Sequence, residues 1–172
     1  MLQREGEFRN PSGCAVTGVI DRSGKKMTGE SMIEAISVMH DRSNGLGGGF
    51  AGYGIYPHYK DFYAFHLFYE TTKAQEETEA FLKRHFEIVY SSDEREYVAR
   101  CVIRINAEMK DAYVFSSGMN MGIFKGVGYP EDIGRFYRLE EYEGYAWTCH
   151  GRYPTNTPGW WGGAHPFGLL DL

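Results

Sequence analysis

The apolar residues fall into short runs whose spacing switches between the strand and helix periods. Ala15-Val16-Thr17-Gly18-Val19-Ile20 reads as a strand, closed by the turn-forming Asp21-Arg22-Ser23-Gly24. From Ser31 the spacing is helical: Ser31 and Glu34 fit a capping box, with Met32, Ile36, Met39 and His40 on one face. The glycine-dense stretch from Asp41 to Gly49 reads as a loop, and Gly52–Tyr56 as a second strand. Phe62–Tyr69 is apolar on both alternating faces, which predicts a strand buried between two layers. Thr72 and Gln75 then form a capping box for a helix whose inward stripe is Thr78, Phe81, Leu82 and His85.

Farther along, Glu87–Tyr90 and Val98–Asn106 read as strands, the second from the alternation of Ala99, Cys101, Ile103 and Ile105. Ala112 to Phe124 predicts two strands joined at Gly118. Pro130-Glu131-Asp132 opens a short helix, with proline in the first turn and acids at the positive end of the helix dipole. Tyr145–His150 is a last strand. This succession is α+β rather than a regular βα alternation. The section 71–106 is a candidate βαβ insertion.

Composition narrows the class. At 172 residues the chain fits one domain, and 42% apolar with 16% aromatic residues excludes a disordered or coiled-coil chain. A net charge of -5 gives no basic footprint, so no nucleic-acid partner is expected. No apolar run approaches the roughly 20 residues of a membrane span, so no membrane association is expected either. The first ten residues lack the apolar centre of a secretory signal. Cys14, Cys101 and Cys149 are too widely spaced for a disulfide framework or a zinc motif, which together point to a reducing, cytoplasmic setting. Residues 1–13 are polar and end in Pro11-Ser12-Gly13, a leader-like stretch.

Two places carry candidate chemistry. Cys14 follows a Pro-Ser-Gly turn and begins an apolar strand. Gly13 leaves the preceding carbonyl open to the Cys14 thiol. Breaking that bond would give Cys14 an α-amine of pKa near 8, able to serve as the thiol's own base. The alternative is a small buried hydrophobe at a strand head. The second place is the loop from Cys149 to Phe167. There Arg152 can hold a carboxylate bidentately, Thr155 can add a hydroxyl contact, and Trp160 and Trp161 can wall a pocket. Arg152 could equally serve only to satisfy loop carbonyls.

Other features are blander. Gly45–Gly54 lacks the Gly-Lys-Ser/Thr ending of a phosphate loop, and is a mobile cover or a connector. His40, His58, His66 and His85 share no metal-ligand spacing, so no metal site is expected. Cys101 and Cys149 read as core, and Glu76, Glu77 and Glu79 as a solvated helix face.

At these places the sequence resembles the class II glutamine amidotransferases, which are N-terminal-nucleophile (Ntn) hydrolases. Cys14 through Ile20 is similar to the family's amino-terminal Cys strand. Arg42 with Gly45 resembles, more loosely, its Arg- and Gly-containing segment. His150-x-Arg152-Tyr153-x-Thr155 resembles its strand-end motif, and Ala164-His165-Pro166 the end of the same loop. Met121–Gly126 and Arg152–Thr157 look most like the glutaminase domain of glutamate synthase.

The resemblance implies an α+β fold, a four-layer αββα sandwich of antiparallel sheets over residues 14–172, once residues 1–13 are removed. It implies Cys14 as the nucleophile that hydrolyses L-glutamine to glutamate and ammonia, and Arg152 and Thr155 as substrate-binding residues. Arg42, Tyr153 and His165 are further pocket candidates. A glutamate-synthase-type subunit or domain would take the ammonia and carry FMN and iron–sulfur chemistry, with no cofactor on this chain. A phosphoribosyl or sugar-phosphate acceptor and a non-catalytic module of the same fold are the alternatives. The family's oxyanion Asn-Gly and its amine-binding Asp lie beyond positions matched here, and Asn44-Gly45 is in the wrong segment. The resemblance therefore implies a C-terminally truncated domain.

Overall fold

The computed structural model describes residues 13–86, 94–154 and 156–169. The chain divides into two compact units, Met1–Gly52 with Phe124–Pro166, and Tyr53–Ile123 with Phe167–Leu172. The expected strand Glu87–Tyr90, residue Thr155 and the leader up to residue 12 lie outside the described residues.

The first unit begins with β1 (Ala15–Ile20), the two-residue β2 (Met27–Thr28), α1 (Glu30–Ser37) and β3 (Gly48–Tyr53). β1 pairs antiparallel with the later β8 along its full length, from Ala15 opposite Gly151 to Ile20 opposite Ala146. Ala15, Trp147 and Cys149 are buried, and α1 packs on that face with Met32, Ile33 and Ile36. Val16 and Ile20 point the other way and are exposed.

The helix opens at Glu30 on a Gly29 cap with no side-chain capping bond, so the expected Ser31–Glu34 box is not used. A Cβ on Gly29 would stand 2.4 Å from the Leu139 carbonyl oxygen, so close packing on the backbone sets this helix start. His40 also leaves the expected face. It sits in a short 3-10 turn, half-exposed, against Glu131.

β3 corrects the reading of the glycine stretch. The strand starts at Gly48, four residues before the expected Gly52, and its first five residues are buried. A Cβ at Gly49 would stand 2.6 Å from the His165 carbonyl oxygen and 2.9 Å from that of Phe124. Glycine is therefore present for close approach between backbones, which composition alone does not distinguish from flexibility.

The second unit contains β4 (Tyr63–Tyr69), α2 (Thr72–Phe86), α3 (Glu94–Glu108) and β5 (Ala112–Met119). β4 begins one residue later than expected and is half-buried throughout rather than enclosed on both faces. α2 buries Ala74, Thr78 and Phe81, with Leu82 and His85 half-buried as the stripe predicts. Its cap is Thr71, whose Oγ1 accepts from the Ala74 amide, one position before the expected Thr72.

The expected strand Val98–Asn106 is instead part of α3, so the described part of 71–106 holds two helices rather than a βαβ insertion. The burial shows why: Cys101, Val102 and Ile105 are buried while Ile103 is 66% exposed, a helical stripe and not an alternation. Together with Phe81 and Val114 they form one core between the helices and the sheet. β4 and β5 are antiparallel neighbours with a bulge between His66 and Leu67.

β6 (Met121–Gly126) follows a turn at Asn120, not at the expected Gly118. Asn120 takes a φ of 52°, a left-handed conformation that asparagine tolerates. Its side-chain oxygen accepts from the Tyr56 amide at 2.9 Å. The chain then forms α4 (Pro130–Phe136) at the expected proline, and β7 (Glu143–Gly144), which pairs with β2. β8 (Ala146–Gly151) starts one residue late, and β9 (Gly168–Leu169) ends the described chain.

α4 packs on α1, where Gly134 lets Ile33 approach. The larger sheet runs β1-β8-β3-β6, and a second runs β4-β5-β9. β9 lies parallel to β5, so the second sheet is mixed where a purely antiparallel one was expected.

Candidate active site

The site forms where β1 begins and β8 ends. Because β1 and β8 are antiparallel, Cys14 and Arg152 flank the last pair, Ala15 and Gly151, and leave neighbouring strands side by side. Cys14 is exposed, so the small-buried-hydrophobe alternative does not describe it. Cys101 and Cys149 are buried, as read from the sequence. Burial, followed by the charge of Glu131, holds the Cys149 thiol far above its ordinary range, and it stays protonated.

Cys14 lies on a cavity of about 330 Å³ whose other walls include His150, Arg152 and Tyr153. Asn156, Thr157, Gly163 and His165 complete the rim. Thus Cys14, Arg152, Tyr153 and His165, all candidates from the sequence, line one cavity. Thr155 lies outside the described residues. Arg42 does not line the cavity. It lies against Gly13: a Cβ built there would be 3.3 Å from Arg42 Nη2. Gly13 has a φ of 123°, which a side chain would strain.

Neither tryptophan forms a cavity wall. Trp160 folds over Gly162, where a Cβ would stand 2.2 Å from its ring, and Trp161 lies 6.0 Å from the Lys125 amine. Two adjacent aromatic residues marked a packed loop rather than a ligand surface.

Arg152 is held in place from several directions. Its Nη1 donates to Pro158 O at 3.1 Å and Leu46 O at 3.4 Å, and its Nη2 to Thr157 Oγ1 at 2.5 Å. Among the described residues, Nε and one Nη2 hydrogen have no protein acceptor, which leaves two donors for a ligand. The backbone is braced as well. Arg152 N donates to Gly47 O at 2.8 Å, and the Ser43 hydroxyl donates to Arg152 O. The Asn44 amide side chain donates to Pro154 O. Ser43, Asn44 and Gly47 are therefore bonded along the Arg152 strand end, around the start of the Gly45–Gly54 stretch that by sequence alone is a mobile cover or a connector.

His150 was legible only as part of the motif around Arg152. It is neutral at physiological pH. Burial, and then the nearby His165 and Arg152, push its imidazole down to about 4. Its Nδ1 is buried with no hydrogen-bond partner among the described residues. The His150 and His165 ring centroids are 4.8 Å apart. The cavity thus offers a thiol, neutral imidazole and one fixed cation. That combination suits a small substrate with an anionic end and an electrophilic carbon.

Away from the cavity, Glu131 bonds to His40 Nδ1 and raises the His40 pKa, chiefly by that bond. His66 donates from Nδ1 to Ile123 O and accepts at Nε2 from the Tyr56 hydroxyl. These histidines are structurally satisfied. Among the described residues no cluster of His, Cys, Asp and Glu is arranged to hold a metal, and no helix is long and apolar enough to cross a membrane.

Comparison with known proteins agrees with this geometry. The sequence pattern described as "Glutamine amidotransferases class-II" matches residues 68–171, more than half of the chain and every cavity residue except Cys14. A protein of Archaeoglobus fulgidus, described as uncharacterized, is 45% identical over 198 aligned positions. The alignment covers 95% of this chain and 52% of that protein, so the chain spans about half the length of the curated relative it matches.

Proposed function

The chain belongs to the class-II glutamine amidotransferases, and on that premise we propose that it forms the glutaminase site of a glutamate-synthase-type enzyme. The observation that carries this reading is the meeting of an exposed Cys14 and a braced Arg152 on one cavity at adjoining strand ends. The family's expected four-layer αββα sandwich needs sheets covered by helices on one face. Each unit, taken by itself, has a sheet with such a helical layer.

The chemistry follows from the groups present. Removal of residues 1–13 gives Cys14 a free α-amine, which accepts the thiol proton. The sulfur attacks the side-chain carboxamide carbon of glutamine. The ammonium of Cys14 returns the proton to the departing nitrogen, ammonia leaves, and a γ-glutamyl thioester remains. Water, deprotonated by the same amine, attacks the thioester. Glutamate departs and the thiol is restored.

Arg152 holds the α-carboxylate with the two donors its loop does not use, with Thr155 beside it. That pins the amino-acid end and aligns the carboxamide with sulfur. Neutral His150 forms part of the wall next to the clamp without adding a competing fixed cation.

The ammonia acceptor in this reading is a glutamate-synthase-type partner, supported by the likeness of Met121–Gly126 and Arg152–Thr157 to that branch. The flavin and iron–sulfur chemistry belongs to the partner. The direct test is incubation with glutamine, with ammonia and glutamate measured in equal amounts. Intact mass checks the loss of thirteen residues, and 6-diazo-5-oxo-L-norleucine checks Cys14. Processing, stoichiometric release and a label on Cys14 are expected; Cys14→Ala abolishes all three. A processed protein that neither releases ammonia nor takes the label refutes the reading.

A further inference from the structure

We propose that Lys125 is a positioning residue for glutamine, its buried amine holding the Gly163–His165 segment against the guanidinium of Arg152. The inference rests on the glutaminase reading and adds to it a residue that does not line the cavity.

Lys125 lies on β6 and is 2% exposed. A lysine so placed is costly, because its ammonium loses hydration that an apolar side chain would not need. Burial accordingly brings its pKa down to about 8. The amine has a definite use: Nζ donates to Ala164 O at 3.2 Å.

Ala164 is itself buried and stands between two residues of the cavity rim. On one side is Gly163. A Cβ there would lie 3.1 Å from Arg152 Nη1 and 3.2 Å from its Cζ, so the guanidinium rests on the Gly163 backbone. On the other side is His165, tilted over His150. Below, the missing side chain of Gly49 lets β3 reach both Lys125 and the His165 carbonyl, at 2.8 and 2.6 Å from a built Cβ. The contacts therefore run without a gap from the buried amine through Ala164 and Gly163 to the clamp. Removing the amine releases the backbone on which the guanidinium lies.

The test compares wild type, Lys125→Met, Lys125→Arg and Gly163→Ala in glutamine hydrolysis and in alkylation of Cys14 by two reagents. 6-Diazo-5-oxo-L-norleucine carries the α-carboxylate that Arg152 would hold; iodoacetamide does not. Lys125→Met is expected to raise KM for glutamine roughly tenfold, the weight of about one hydrogen bond to a charged group, with kcat within about threefold. Labelling by the glutamine analogue slows in step while iodoacetamide reacts at the wild-type rate. Lys125→Arg, which keeps a cationic donor, recovers part of the loss.

Gly163→Ala removes no buried charge and displaces the guanidinium directly. It gives the same split between reagents, and Lys125→Gln, which also removes the buried ammonium, carries the test with the same expected rise in KM if Lys125→Met does not fold. Wild-type KM in Lys125→Met, or an equal fall with both reagents in the folded variants, overturns the proposal. A wild type that reacts with iodoacetamide but neither hydrolyses glutamine nor takes the analogue overturns the glutaminase reading itself, and this inference with it.

Discussion

Arg152 has two jobs in this reading, and replacing it separates them. Its guanidinium braces the loop through Pro158 O, Leu46 O and Thr157 Oγ1, and it offers its remaining donors to the substrate carboxylate. Bonds from a charged group contribute roughly 1.5–3 kcal/mol each, so a two-point grip on a carboxylate is worth about 3 kcal/mol or more. Arg152→Met should lower kcat/KM for glutamine by about 100-fold or more, mostly through KM.

The loop bonds are made at partly exposed sites, and losing them should cost only about 1–2 kcal/mol of stability. For a domain of this size that is a fall in Tm of roughly 2–8 °C. Arg152→Lys keeps the charge and loses the fork, so its kcat/KM should lie between the two. The assays are steady-state ammonia release and urea unfolding of the same preparations. A stable Arg152→Met protein with wild-type KM would show that the arginine only braces the loop, and the clamp assignment would fail.

Three further outcomes test the fold and its electrostatics. Ile105→Ala should lose about 2–4 kcal/mol in urea unfolding while Ile103→Ala stays within about 0.5, because only Ile105 faces the core; equal losses would reinstate the strand reading. Asn120→Ala should cost about 1–3 kcal/mol for its left-handed backbone and the lost Tyr56 contact, whereas Asn120→Gly, which relieves the backbone and loses only that contact, should cost about 0.5–1.5 kcal/mol. Between the ordinary imidazole value of 6.5 and about 4, the unfolded chain binds a proton that folded His150 refuses. Stability therefore falls as pH drops through that window, and His150→Gln should flatten that part of the slope in urea midpoints measured from pH 4.5 to 7.5.

The parts of the site that were legible in the sequence are those set by short-range chemistry. β1 follows from its apolar run and α4 from Pro130 and its acids, while residue type together with the family resemblance makes Cys14 and Arg152 candidates. What escaped depended on what lies across from a residue. Ala99, Cys101, Ile103 and Ile105 alternate with only Val102 out of step, yet the core takes Cys101, Val102 and Ile105 and leaves Ile103 outside. The glycines of β3 resemble a loop until the His165 and Phe124 carbonyls are seen beside Gly49. The turn passed over Gly118 for Asn120 because glycine is not the only residue that tolerates a left-handed backbone. Lys125 carried no sign in the sequence that its amine would be buried beneath the cavity wall, and the parallel β5–β9 pairing joins segments too distant for periodicity to report.

The six-pair antiparallel seam between β1 and β8 has a consequence for the proposed cut before Cys14. Fresh chain ends ordinarily fray, because nothing on the severed side restrains them. Here β8 supplies restraint from the side that is kept. The strand starts one residue after the nucleophile, and every residue from Ala15 to Ile20 is locked to β8, with Ala15 buried. A new terminus made at Cys14 is therefore seated from the moment it forms, with only a single residue of slack. Its amine and its sulfur would share one short tether beside the cavity, so the proposed maturation would convert a peptide nitrogen into a base on a strand already paired.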